Sequence, residues 1–321
     1  MMPRRPVQHY EREPRNSLRG SQIRRSKSRK RKKLRRYAFK RRYRIRWRRF
    51  LPTLMFLAIF LYATVSLVQY AIRSFTTKQT NRELQIIYEG AMENPTPDTF
   101  MLEPTPMPTS TPVPTPTPIP QLQSSYQYIG ENVLPEAAEM LEKNPDTVAW
   151  LHIPGGIVNL PVVYRNNTYY LNHDFYGRRN DSGTLFLDEA HPLAYDTQYM
   201  VIHGHNMYDG SMFGLLSHYR KRGYMEEHPT VYLNTLYRKE TYEVIGVLYL
   251  PINIQSEGYV PYTGIRKFET LDQFYSFANK IRSNALYWKE GEYMLPNDAF
   301  LALSTCYEDH RIVVMCRRTN P

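Results

Sequence analysis

The spacing of hydrophobic positions changes along this chain, and each change marks a segment. From Phe50 to Ile72 no charged residue interrupts an almost wholly apolar run, PTLMFLAIFLYATVSLVQYAI. A helix needs roughly 20 such residues to cross the hydrocarbon core, and Pro52 sits in the first turn, where a helix tolerates it. The run exceeds the roughly 7–15 residues of a signal-peptide core, and no small-x-small cleavage site follows it. Residues 50–72 therefore predict a single transmembrane anchor. A short juxtamembrane helix is expected over 73–93. Between residues 94 and 120 the sequence becomes NPTPDTFMLEPTPMPTSTPVPTPTPIP, in which Pro alternates with Thr. Such a segment forms neither helix nor sheet ladder and favours an extended linker of about 3.1 Å per residue, roughly 80 Å in all. It reads as a stalk that lifts a folded domain off the membrane.

The folded domain is expected over residues 124–321. It opens with a helix that aligns Leu134, Ala138 and Leu141 ahead of Asn144 and Pro145. Eight short β-type runs follow: Val148–Ile153, Val158–Val163, Gly183–Asp188, Tyr199–His203, Thr230–Leu236, Thr241–Leu250, Ala299–Thr305 and Arg311–Cys316. Two helices interrupt them. Ser211–Arg220 puts Met212, Phe213, Leu216 and Tyr219 on one side, and Leu271–Tyr287 spaces Phe274, Ala278, Ile281 and Ala285 helically, with Thr270 and Gln273 placed as a capping box. Many short strands with few helices predict a mainly β domain, an eight-stranded closed barrel with peripheral helices.

Charge sharpens this division. The chain has 42 Lys and Arg against 30 Asp and Glu, but 22 of the basic residues and only two acids, Glu11 and Glu13, lie in residues 1–49. The head thus carries about +20 and the remainder about −8. A chain-wide basic balance says nothing about the folded domain, and no nucleic acid partner is expected. The head cannot bury a core and reads as a disordered tail. Beside a membrane it would be drawn to anionic lipid, by about 1 kcal/mol per basic residue held at the surface. Only Arg73, Lys78 and Arg82 follow the span closely, so the positive-inside rule puts the N-terminus in the cytoplasm and the large C-terminal part outside.

Candidate chemistry converges on two strand ends. The segment Leu301–Val314, LALSTCYEDHRIVV, puts Cys306 at the end of an apolar strand, before a polar turn and a second strand. The segment Tyr199–Met207, YMVIHGHNM, ends a strand at Gly204, His205 and Asn206. A cysteine with a sequence-distant histidine fits a thiol nucleophile and its base. The same residues also fit an inert core cysteine and an incidental histidine, and spacing alone leaves both open. Cys316, the second of two cysteines, reads as a core residue. His310 is near Cys306 in sequence but lacks the strand–Gly–His–Asn context. No metal-ligating cluster or cofactor motif is found, and no cofactor is expected.

Leu303, Ser304, Thr305 and Cys306 with Arg311, Ile312, Val313 and Val314 resemble the signature of sortases, and Gly204 to Met207 resembles their histidine motif. The stretch Asn144–His191 is similar to that of class B sortases in its W-(x)-IP, PVV, YYL, HDFYG and SG-(x)-F-D elements. The resemblance covers Leu134–Arg318 in unbroken order. It departs in the four-residue turn before Arg311, shorter than usual, and at His203, where a tyrosine is more usual.

The resemblance implies a sortase-like barrel and a membrane-anchored cysteine transpeptidase of a Gram-positive cell. Cys306 would attack the threonine carbonyl of a C-terminal sorting signal on a surface protein, and His205 would move the protons. Arg311 would hold the substrate and offset oxyanion charge. Asn167, Leu171, Ser304, Thr305, Tyr259 and Val260 would contact substrate. The acceptor would be an amine of a peptidoglycan precursor or a pilin lysine, with wall anchoring ahead of pilus assembly. A thiol peptidase that only hydrolyses, or a non-catalytic stalked surface module, are the alternatives.

Overall fold

A computed structural model describes residues 47–93, 133–191, 197–265 and 267–319. The basic tail, apart from its last residues, and the linker at 94–120 lie outside them. Contacts divide the chain into units 1–57 and 58–321. The first contributes only the start of helix α1 (Trp47–Glu93) to the described residues. Among these residues α1 is the one helix long and apolar enough to cross a membrane.

Nine strands follow among the described residues: β1 (Thr147–Ile153), β2 (Val158–Val163), β3 (Leu185–Leu187), β4 (Tyr199–His203), β5 (Thr230–Thr235), β6 (Lys239–Pro251), β7 (Ala285–Trp288), β8 (Phe300–Tyr307) and β9 (His310–Arg318). Their order is β5-β1-β2-β3-β4-β8-β9-β6-β7, and β5 also pairs with β6. Eight strands thus close into a barrel, and β7 hangs on the outside of β6. Closure leaves the ring without a free edge.

Strand sequence follows from which faces are covered. Along β8, Leu301 and Leu303 point into the barrel beside Phe213, Tyr219, Val314 and Cys316. Phe300 and Ala302 point outward onto Phe274, Ala278 and Ile281 of helix α4 (Leu271–Ser283). With both faces buried, β8 and β9 read as unbroken apolar runs rather than alternating ones. Thr270 caps α4 by accepting the Gln273 N–H at 3.2 Å, while the Gln273 side chain accepts the Glu269 N–H at 2.9 Å. That return bond reaches one residue further than a standard capping box.

Four expectations change. The helix predicted to Tyr287 stops at Ser283, because Ala285–Trp288 joins the sheet, with Trp288 opposite Gly246, where any side chain would collide with the indole. Ser211–Arg220 is not an α-helix; a 3-10 turn over Gly214–Arg220 follows Met212, whose φ is 52°, although the predicted apolar face is buried. The short helix α3 (Arg222–Glu227) was not anticipated. Helix α2 (Pro135–Lys143) buries Glu136, Ala137 and Met140 rather than the Leu134 face.

A fifth change matters most for function. The juxtamembrane helix is the continuation of α1, and it packs on the barrel through Thr77, Thr80, Leu84 and Tyr88, one helical face. Tyr88 stacks on Trp150 at 4.1 Å between centroids and accepts a hydrogen bond from Asn234 at 2.9 Å. Gln85 donates to the Asn159 carbonyl at 2.8 Å. The Pro/Thr segment at 94–120 therefore follows in sequence after the chain has already docked, and it does not intervene between the span and the barrel.

Candidate active site

Strand register brings the sequence-derived residues to one end of the barrel. In the β8–β9 hairpin Cys306 lies directly opposite Arg311, and Tyr307 opposite His310. The short turn thus does not shift Arg311 away; it puts its Cα within about 5 Å of the cysteine's. Strand β4 pairs in parallel with β8, His203 opposite Ser304. Gly204 is then stapled to β8, its N–H donating to the Ser304 carbonyl at 3.2 Å and its carbonyl accepting the Thr305 hydroxyl at 2.8 Å. His205 emerges next to Cys306 as a consequence.

Gly204 is needed for that approach. A Cβ there would lie 2.8 Å from the Phe213 ring and closer still to Leu185. The His205 carbonyl accepts the Phe213 N–H at 2.9 Å. The ring's Nε2 lies 2.7 Å from the Leu171 carbonyl, an atom that can only accept, so Nε2 carries a proton in this arrangement. Cys306 is half-buried and Cys316 fully buried. Burial pushes the Cys316 thiol well above the ordinary range, which keeps it unreactive. Cys316 lies opposite Leu301, five residues or about 17 Å along the sheet from Cys306, so the two cannot form a disulfide.

The expected substrate contacts separate. Leu171 is exposed, and Tyr259 is half-buried. Ser304, Thr305 and Val260 are buried, so their side chains lie beneath the surface instead of lining it. Ser304 Oγ bonds the Tyr262 hydroxyl at 2.7 Å, and Thr305 serves Gly204. Asn167 is half-buried and donates to Asp188 at 3.1 Å.

Two supporting residues were missed. Burial raises the Tyr262 phenol, while its bond to Ser304 and the nearby Arg311 pull it back, and Cys306 pushes it up. Tyr262 thus lies close to Cys306 and Arg311, two residues beyond the Tyr259 and Val260 pair that the sequence singled out. Asp188 ends the SG-(x)-F-D element and bonds His203 Nε2 at 3.0 Å. Burial raises its carboxyl, but bonds from His203, the Ala190 N–H and Asn167 outweigh this and hold it below the usual range. His203, in place of the more usual tyrosine, thereby ties the Asn167 loop to the strand that presents His205.

On the barrel's inner side of the hairpin, Arg220 lies over Tyr307 at 4.3 Å and Tyr249 at 5.1 Å. His310 stacks on Tyr249 at 4.2 Å. His310 thus shares Tyr307's face, opposite to that of Cys306 and Arg311. Among the described residues no three His, Cys, Asp or Glu side chains group to hold a metal ion.

Sequence comparison agrees with this geometry. A sortase B of Listeria monocytogenes is 26% identical over 195 residues, covering 58% of this chain and 75% of the relative. A sortase B of Staphylococcus aureus is 24% identical over 207 residues, covering 61% and 82%. The chain resembles the class B sortases. The solved Staphylococcus aureus sortase B–substrate complex shares the fold, with a TM-score of 0.60 at 19% identity over 78% of this chain and 99% of that one. No family model matches the sequence. The likeness to sortases B supports a sortase-type transpeptidase.

Proposed function

We propose that this chain is a membrane-anchored cysteine transpeptidase acting on the outer side of the membrane, with Cys306 as nucleophile, His205 as acid and base, and Arg311 as oxyanion donor. The pairing of Cys306 with Arg311, with His205 emerging from the adjacent strand, carries this reading. The thiolate sulfur attacks the carbonyl carbon of the threonine of a sorting signal, and Arg311 N–H groups offset the negative charge on oxygen. His205 protonates the departing amine as the C–N bond breaks, leaving a thioester on Cys306. An incoming amine then gives its proton to His205 and attacks the thioester, forming a new amide and releasing the thiolate. A thioester favours amine over water when the amine is held close.

The donors are surface proteins with a C-terminal sorting signal. The acceptor is an amine of a peptidoglycan precursor ahead of a pilin lysine, and the basic tail, on the cytoplasmic side, holds anionic lipid. The test is ligation by the full chain, with peptide mixtures as donors and glycyl or diamino acceptors. Cys306→Ala should remove both thioester and ligated product from a folded protein. Cys316→Ala should keep most activity and cost at most a few kcal/mol of core packing. Hydrolysis without ligation would indicate a thiol peptidase, and equal loss in both variants would overturn the nucleophile.

A further inference from the structure

We propose that the end of the barrel bearing His205 rests on the bilayer surface, with Tyr208 seated among the lipid headgroups. The proposal rests on the membrane-anchor part of the reading above and goes beyond it, because it fixes which end of the barrel meets the lipid.

The contacts along α1 give the direction. Arg73 pairs with Asp181, and Ser74 and Lys78 both engage Asp209. Thr77 then meets Asn180 and Ser182, Gln85 and Glu89 meet Asn159, and Tyr88 meets Trp150 and Asn234. The helix therefore enters at the barrel end that carries the 204–213 loop and runs away from it across β2 and β1 to β5. Upstream of Arg73, Phe60, Leu61, Leu67 and Ile72 are all exposed. An apolar surface of that length on one helix is matched by lipid.

Asp209 is four residues beyond His205. Its helix partners Ser74 and Lys78 lie only about 3 and 9 Å along the axis past Ile72, at 1.5 Å per residue. The Asp209 carboxylate also accepts the Ser211 N–H and hydroxyl, which fixes the loop. Between this anchored aspartate and the histidine motif stands Tyr208, whose side chain is fully exposed, as Phe75 largely is on the facing helix. A tyrosine ring with a polar tip suits the membrane–water interface. Arg179, exposed in the turn that holds Asp181, adds a charge for lipid phosphate. A peptide entering beside His205 would then do so at the lipid surface, within reach of donors still held in the membrane.

The test uses the full chain with Cys306→Ala, so that a single added cysteine takes a fluorescent label while buried Cys316 does not. Labels at Tyr208→Cys, Phe75→Cys and Tyr275→Cys are compared in phosphatidylglycerol–phosphatidylcholine vesicles containing spin-labelled lipid. Tyr275 is exposed on α4, across the barrel from α1. The expected result is loss of most emission at positions 208 and 75 and little at 275. Quenching at 75 without quenching at 208 overturns the surface contact and leaves the anchor standing. Quenching at neither overturns both, and no outcome depends on catalysis.

Discussion

Exchanging Arg311 for lysine keeps a positive charge opposite Cys306 while removing the planar fork, and so isolates what the guanidinium does. Three arginines follow Cys306, and register separates them. Arg311 faces Cys306, whereas Arg317 faces Phe300, six residues or about 20 Å along the strand. The other two are engaged elsewhere, Arg317 with Glu292 at 2.6 Å and Arg318 with Glu240 at 3.0 Å. Losing one oxyanion donor typically lowers kcat by about 10²–10³, or roughly 3–4 kcal/mol. Arg311→Lys should therefore fall by at least ~10², because an ammonium cannot reproduce two parallel N–H bonds. Arg317→Ala should leave kcat unchanged and cost about 1 kcal/mol or less, as its ion pair is partly solvated. Single-turnover thioester formation, followed by mass spectrometry, reads the chemical step; amine ligation reads the whole cycle. Near-normal ligation by Arg311→Ala together with a collapse in Arg317→Ala would show that the oxyanion sits elsewhere and would refute the argument from register.

Gly204→Ala should destabilise the domain by about 1–3 kcal/mol through overpacking and slow thioester formation further, since the added methyl meets Phe213 and Leu185 just where His205 leaves the strand. Wild-type urea stability with wild-type rate would count against a role for that close approach. His191 is buried, and desolvation, partly offset by Asp188, lowers its pKa from 6.5 to about 4. Between those values the unfolded chain binds the proton and the folded one does not, so stability should fall as pH drops from about 6.5 to 4, by roughly 3 kcal/mol in all. Asp188, depressed below the usual carboxylate range, would lose its contribution only below that window. Denaturation across this range should show the slope, His191→Gln should flatten it, and an unchanged slope would place the effect on other groups.

Local pattern was enough to read much of this protein. Tyr199–His203 matches β4 residue for residue, and the runs around Cys306 and Arg311 match β8 and β9 to within a few residues, because apolar runs bounded by polar turns leave few alternatives. The apolar helix over Phe50 to Ile72 is legible for the same reason, and so is the placing of Cys306 and His205 at strand ends. The faces of the helices were harder. Met212, Phe213, Leu216 and Tyr219 were recognised as buried, yet the backbone that buries them is 3-10, since periods of 3.0 and 3.6 are hard to distinguish over two turns.

Chain closure and pairing partners have no local signature. Only the fold shows that β5 closes on β6, that Arg311 faces Cys306 across a short turn, and that Asp188 holds both His203 and Asn167. Tyr262 becomes part of the site because its loop folds over Ser304, which is forty-two residues away in sequence. The role of residues 73–93 shows the difference most sharply. As sequence they are a short juxtamembrane helix leading to a Pro/Thr stalk. As structure, Thr77, Leu84 and Tyr88 belong to the same packed unit as Trp150. The sequence determined that a helix would form there and that an apolar run would precede it. Which surface the helix covers, and hence which end of the barrel it enters, depended on side chains far apart in the chain, and only tertiary packing could decide it.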